Sequence, residues 1–173
     1  VNNIDKNVMI RGEKNIFIQL DSLIIEGNAA INEKFLTRYL NIKNGMPYNE
    51  ASFQSISKKI NQLPFLFETK SAILKLTNKQ NKLFIFLDKK NASQFDGIVG
   101  ILPDEKGKTI FTGDVKIKLV NAVLKNGETF DINWRRLQTE TQDLKARVIY
   151  PYLFGLPIGV DYNIKLYKKD TTF

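Results

Sequence analysis

From Phe95 to Lys169 the chain reads as a series of strand-length segments in which apolar and polar side chains alternate, with no helical spacing anywhere. Val115, Ile117 and Leu119 alternate with Lys116 and Lys118. Phe130, Ile132 and Trp134 are set against Asp131, Asn133 and Arg135. Leu144, Ala146, Val148 and Tyr150 stand against Lys145 and Arg147, and Val160, Tyr162, Ile164 and Leu166 against Asp161, Asn163 and Lys165. Successive side chains of a strand point to opposite faces, so this pattern gives one apolar face and one charged face.

Five strands are expected over 95–173: "FDGIVGILP", "TIFTGDVKIKLVNAVL", "ETFDINWRRL", "DLKARVIY" and "IGVDYNIKLYKK". Asn126-Gly127 is the strongest hairpin signal in the chain, "QTETQ" is the next connection, and "PYLFGLP" turns the chain before the last strand. Two architectures share the pattern. A soluble antiparallel sheet has one wet face, and an outer-membrane barrel is apolar toward lipid and polar toward its lumen. Strands of about ten residues, with Phe111, Tyr150, Tyr152, Phe154 and Tyr167 near their ends, favour the barrel. The same aromatics also fit a packed core.

The first half has a different texture. Residues 1–15 are polar and mixed, a linker or tail. "IFIQLDSLIIE", Ile16 to Glu26, is strand-like, and its alternation slips at Asp21-Ser22, which predicts a bulge or bend. Gly27-Asn28 ends it. Ile31, Phe35, Leu36, Tyr39 and Leu40 recur at helical spacing behind Asn32, a capping residue, with Glu33 at the positive end. Gly45-Met46-Pro47 breaks this helix. Asn49-Glu50 starts a second, with Phe53, Ile56, Ile60 and Leu63 as its stripe and Pro64 as its stop. Both stripes read as core. "SAILKLT" then alternates Ala72, Leu74 and Leu76, "NKQN" turns, and "KLFIFLD" is apolar on both faces. The last is expected at the centre of a sheet and "SAILKLT" at its edge. Residues 16–90 thus read as strand–helix–helix–strand–strand, an α+β layer.

Composition narrows the chemistry. The chain has no Cys and no His, so disulfides, thiolate catalysis, Ser–His relays and imidazole metal ligands are excluded. No carboxylate cluster has calcium-loop spacing. A net charge of +8 suits an anionic partner, and a plain basic surface explains it equally. No apolar run is long enough for a membrane helix. The chain starts at Val1 without a signal peptide, so export would require one removed upstream.

Taken in order, these segments resemble a known family. "IIEGN", "FLTRYLNIKNGMPYN" and "INQLPFLFETKSAILKL" resemble a POTRA (polypeptide-transport-associated) domain, whose order is βααββ. "FDGIVG", "GDVKIKLVNAVLKNGETFDINW" and "YPYLFGLPIGVDYNIKLYKKDT" resemble the first strands of the barrel in the BamA/TamA superfamily of outer-membrane assembly factors. The resemblance implies an α+β POTRA domain followed by an antiparallel β-meander that is part of an outer-membrane β-barrel, with the POTRA domain in the periplasm of a bacterium. Family barrels have about sixteen strands, and five cannot close one, so a part of a longer protein is implied.

The resemblance also implies a function without catalysis, cofactor or metal. Its partners would be unfolded outer-membrane or secreted polypeptides, outer-membrane lipid and accessory lipoproteins, with no nucleic acid. A client strand would add to the edge formed by Lys70, Ser71, Ala72, Ile73, Leu74, Lys75 and Leu76, Lys70 and Lys75 guarding it against aggregation. Phe95, Gly97, Val99, Gly100 and Ile101 would lie on the seam strand that opens to template clients, with the two glycines easing its opening. Lys116, Lys118, Arg135, Arg147 and Lys165 would face the lumen. Simple solvation of the edge and of the basic face, and tight packing at the glycines, explain the same residues. Other readings are an anchor or exporter for an upstream enzyme such as a patatin-like lipase, and a soluble basic β-rich binding module. Oligomer formation is one way for five strands to satisfy their edges.

Overall fold

The computed structural model describes residues 18–77, 80–103, 107–138 and 141–169. The tail over 1–15 and part of the "NKQN" and "QTETQ" connections lie outside the described residues.

The first strand is split where its alternation slips. Gln19–Leu20 (β1) and Ser22–Glu26 (β2) flank Asp21, whose backbone N–H donates to the Asn81 carbonyl at 2.9 Å while its carboxylate accepts from Asn81 N–H at 2.6 Å. The first helix, Glu33–Leu40 (α1), starts at Asn32, whose side chain accepts from Lys34 N–H, and ends at Asn41 in the left-handed region. Met46–Pro47 (β3) pairs with β1, a short ladder with no alternation long enough to announce it. Asn49 caps the second helix, Glu50–Ile60 (α2), by accepting from Ser52 N–H. The Tyr39 hydroxyl donates to the Lys59 carbonyl at 3.0 Å and ties the helices together.

Leu66–Lys75 (β4) and Lys82–Lys89 (β5) complete a three-stranded sheet of order β2-β5-β4, with β2 parallel and β4 antiparallel to the central β5. The strand apolar on both faces is therefore the central one and "SAILKLT" is on an edge. That edge strand begins five residues earlier than its alternation indicates. Register shifts between Glu68 and Lys70 and between Lys70 and Ile73 interrupt the pattern that the sequence would otherwise display. Leu36, Ile60, Ile85 and Leu87 are fully buried where the two helices cover this sheet.

Five long strands follow: Gln94–Pro103 (β6), Thr109–Val120 (β7), Thr129–Gln138 (β8), Thr141–Tyr150 (β9) and Val160–Lys168 (β10). They form an antiparallel meander of order β10-β9-β8-β7-β6. β7 stops at Val120, four residues short of the expected end. Asn121 takes a left-handed conformation, and 121–128 form a loop with further positive φ at Lys125 and Gly127. Asn126-Gly127 is thus part of an eight-residue connection rather than a two-residue turn. The cause is Glu128, considered below. Leu153–Gly155 forms a 3₁₀ turn between β9 and β10.

The main buried cluster belongs almost entirely to the helix-covered sheet, with Val120 as its member from the meander, while Ile110 is buried apart from it. Leu36→Ala should therefore lower unfolding free energy by about 2–5 kcal/mol through the cavity it leaves. Ile98→Ala, on the exposed meander, should change it by less than about 0.5 kcal/mol. Urea melts of the two variants check this, and equal losses would contradict the placement of the core.

Candidate strand-pairing edges and the uncovered apolar face

Cross-strand register sorts the meander into two faces. One row runs Phe95, Ile117, Ile132, Ala146, Ile164, and the next Gly97, Val115, Trp134, Leu144, Leu166. On the other face the matching row is Asp96, Lys116, Asn133, Lys145, Lys165. Among the described residues nothing covers the apolar face. Ile132 is 38% exposed, Ile164 40% and Phe95 74%, and Val115 and Ile117 are only half-buried by their neighbours. A contiguous apolar surface of this kind marks contact with a partner or a membrane.

The five basic residues expected on one face do share it, though two of them are paired. Arg135 donates to Asp114 through Nε at 2.9 Å and Nη2 at 2.6 Å, and Arg147 grips Asp161 with both nitrogens. Lys116 adds to the positive field at Asp114, while the Lys118 and Lys165 side chains carry no hydrogen bond or ion pair among the described residues, so the face is a mixed polar surface rather than a purely basic one.

The expected edge residues fall on two terminal strands. Lys70 through Lys75 lie in β4, which has β5 as its one neighbour, and Leu76 follows the strand end and is exposed. Ala72 and Leu74 are half-buried toward the helices, whereas Ser71, Ile73 and Lys75 face outward. Lys70 Nζ sits 5.1 Å from the centre of the Phe86 ring, a cation–π contact that shields the outer face of the sheet. Phe95, Gly97, Val99, Gly100 and Ile101 lie in β6, the other terminal strand in question. β6 holds an unbroken ten-pair register with β7.

The glycines divide. A Cβ on Gly97 would stand 3.0 Å from the Asp114 carbonyl oxygen, and on Gly100 it would meet only the Thr112 hydroxyl at 3.3 Å. The tightest glycine within the meander strands is Gly113 on β7, where a Cβ would lie 2.4 Å from the Ile98 carbonyl oxygen and 3.3 Å from the Trp134 ring. Close backbone approach thus explains Gly97 and Gly113, whereas at Gly100 the near atom is a side-chain hydroxyl that need give by only a few tenths of an ångström.

The two connections on the near end of the meander grip α1. Asn32 N–H donates to the Lys125 carbonyl, and the Asn121 side-chain amide donates to the Ala30 carbonyl, both at 2.8 Å. Gly127 lets the loop press on Phe35, since a Cβ there would be 2.6 Å from the ring. Tyr152 meets Phe35 edge-on at 5.6 Å. Tyr152 is therefore an interface residue and not part of an aromatic belt, and the Tyr150 hydroxyl accepts from the Asn126 side chain at 2.9 Å. Phe154 is the most exposed of the five strand-end aromatics, and Phe111 and Tyr167 are exposed as well.

Glu128 organises the first of these loops. It is 0% exposed, and its carboxylate accepts from Val123, Leu124 and Asn126 N–H at 2.8–2.9 Å. Burial pushes its pKa up, but the backbone N–H groups outweigh burial and hold it below the usual carboxylate value. Sequence reading assigned Glu128 to the start of a strand; the signal missed was a lone carboxylate directly after Asn-Gly in a loop full of unpaired amides.

The solved structures include a close match to this arrangement. BamA from Haemophilus ducreyi lacking POTRA domains 1-3 aligns with 88% of this chain at a TM-score of 0.63 and 15% identity. The fold is BamA-like. The chain spans 28% of the length of that structure. No protein-family model matches it, and no curated protein matches it in sequence. This mostly antiparallel architecture, with two helices on a small sheet, therefore resembles part of that BamA structure in fold. No helix among the described residues is long and apolar enough to cross a membrane.

Two predictions follow from the geometry. Glu128→Gln replaces a charged acceptor with an amide that offers donors to donors, and should cost about 1–3 kcal/mol at pH 7. Because the folded pKa is lowered, this stability is present above the unfolded value of about 4.3 and is lost as pH falls through the folded one. The gap between the two proteins should close in acid, as measured by exchange of the Val123 and Leu124 amides. Separately, Gly113→Ala should loosen β6 from β7 by about 1–3 kcal/mol and Gly100→Ala should not; equal protection of β6 amides in both variants would refute the packing account.

Proposed function

We infer that the chain comprises the barrel-adjoining POTRA domain, about residues 16–90, and the first barrel strands, 95–173, of a bacterial outer-membrane protein assembly or translocation factor. The observation that carries this is the uncovered apolar face of a five-stranded meander whose near turns are clamped directly onto a helix-covered β2-β5-β4 sheet. In the membrane, the row from Phe95 to Ile164 faces lipid and the row from Asp96 to Lys165 faces the lumen. The helix-covered unit stands in the periplasm.

The mechanism is strand pairing without bond chemistry. An unfolded client strand cannot enter hydrocarbon with free N–H and C=O groups, since each costs several kcal/mol there. The outer edge of β6 offers such groups in a regular array, and any client sequence can satisfy them. β4, over Lys70–Leu76, offers a second array in the periplasm where a client is held before insertion. Clients are outer-membrane or secreted polypeptides; accessory lipoproteins complete the assembly, and the remaining barrel strands come from the rest of the parent protein.

Photo-reactive residues placed singly at each position of β6 and β4 test this. With the full chain in vesicles and an unfolded outer-membrane polypeptide added, cross-links should form along Phe95–Ile101 with a period of two, and along Ser71–Lys75. The absence of cross-links on both strands, with the fold intact by circular dichroism, would overturn the reading.

A further inference from the structure

The near turns carry apolar side chains that stay largely exposed. Phe154 is 91% exposed and sits at φ 52°, ψ 20°. A bulky residue in the left-handed region is strained by about 1 kcal/mol or more, and here the strain holds a phenyl ring in the open. Leu156 and Ile158 on the same connection, and Val123 and Leu124 on the neighbouring one, are also exposed. These residues adjoin the last pair of the apolar face, Tyr150 and Val160, so the uncovered surface continues past the strand ends.

Cations border this extension. Lys34 and Arg38 on α1 line one open cleft of ≈ 440 Å³ together with Leu124 and Phe154. Arg38 lies against Gly155, where a Cβ would come within 2.5 Å of its guanidinium. The same two residues and Lys43 line a second groove beside Tyr152 and Pro157, with Glu33 as its single carboxylate. None of the three cationic side chains has a hydrogen bond or ion pair among the described residues. Apolar side chains continuous with a lipid-facing sheet, edged by unpaired cations, match the acyl–phosphate boundary of a bilayer.

We propose that this surface is a docking site for anionic phospholipid of the adjacent leaflet. Phe154, Leu156 and Leu124 enter the acyl boundary, and Lys34, Arg38 and Lys43 take the lipid phosphates. α1 is thereby fixed against the membrane, and with it the pitch of the helix-covered unit beneath the barrel. The proposal rests on the membrane reading of the meander, and the test separates the two.

Trp134, the chain's one tryptophan, lies on the apolar face and reports the meander. The full chain is refolded into phosphatidylcholine vesicles with and without phosphatidylglycerol. Quenching of Trp134 by lipids brominated on the acyl chains is expected in both. In Trp134→Phe/Phe154→Trp the new indole should be quenched by shallow labels more than by deep ones. Lys34→Gln/Arg38→Gln/Lys43→Gln should lose at least tenfold in preference for phosphatidylglycerol at low salt while Trp134 quenching persists. An unquenched indole at 154, or an unchanged preference in the triple variant, overturns the docking site; with Trp134 still quenched, the membrane reading survives that result. An unquenched Trp134 together with an unquenched indole at 154 overturns both.

Discussion

An apolar sheet face that the chain does not cover is the constraint behind everything else in this molecule. Burial of apolar surface is worth about 25 cal/mol per Å², and a soluble domain captures that by folding a second layer over such a face. The helix-covered sheet does so, with α1 and α2 over Ile85 and Leu87. The meander has two alternating faces and no second layer. Its strands hold together through backbone pairing and through cross-strand pairs such as Asp114 with Arg135, so the medium has to supply what the chain does not.

That division makes the joint between the parts consequential. Two structures, one with a buried core and one without a second layer among the described residues, are held in one geometry mainly by loops. Eight residues between β7 and β8 reach α1 because Glu128 gathers three backbone N–H groups that would otherwise be unpaired in a buried loop. Val120, which joins the buried cluster of the helix-covered sheet, and Tyr152, packed on Phe35, complete the contact. A carboxylate rather than an apolar residue at 128 fixes one loop shape, since its oxygens are satisfied only when those amides converge. The helix-covered unit is thus aimed by a polar anchor with apolar contacts around it.

Periodic segments were legible in the sequence because their burial is periodic. Asn32 and Asn49 mark helix starts, and the slip at Asp21-Ser22 marks the break between β1 and β2. The meander's strand order follows from alternation and turn residues alone. What stayed hidden was set by contacts distant in sequence. The two bulges in β4 scramble the local alternation over Leu66–Lys70, β3 exists only because β1 lies beside it, and the length of the 121–128 loop depends on where Glu128 finds its donors. Tyr152 looked like Tyr150 and Phe154 in the sequence; only the approach of α1 separates an interface ring from an exposed one.

The two terminal strands offered for client pairing differ in their protection. β4 is interrupted twice in register, carries Lys70 and Lys75, and has its outer neighbour Phe86 shielded by Lys70. These are the devices that keep a soluble edge from recruiting other strands. β6 has none of them over 97–102: its register is unbroken, it has no charge there, and Ile98 and Leu102 make it apolar even on the otherwise polar face. In water such an edge invites aggregation. At a membrane seam the same features are useful, because a strand that leaves water for hydrocarbon needs an unguarded ladder whose neighbouring side chains tolerate lipid. Under the proposed function, the difference in protection suits β4 to weak, reversible capture and β6 to committed pairing.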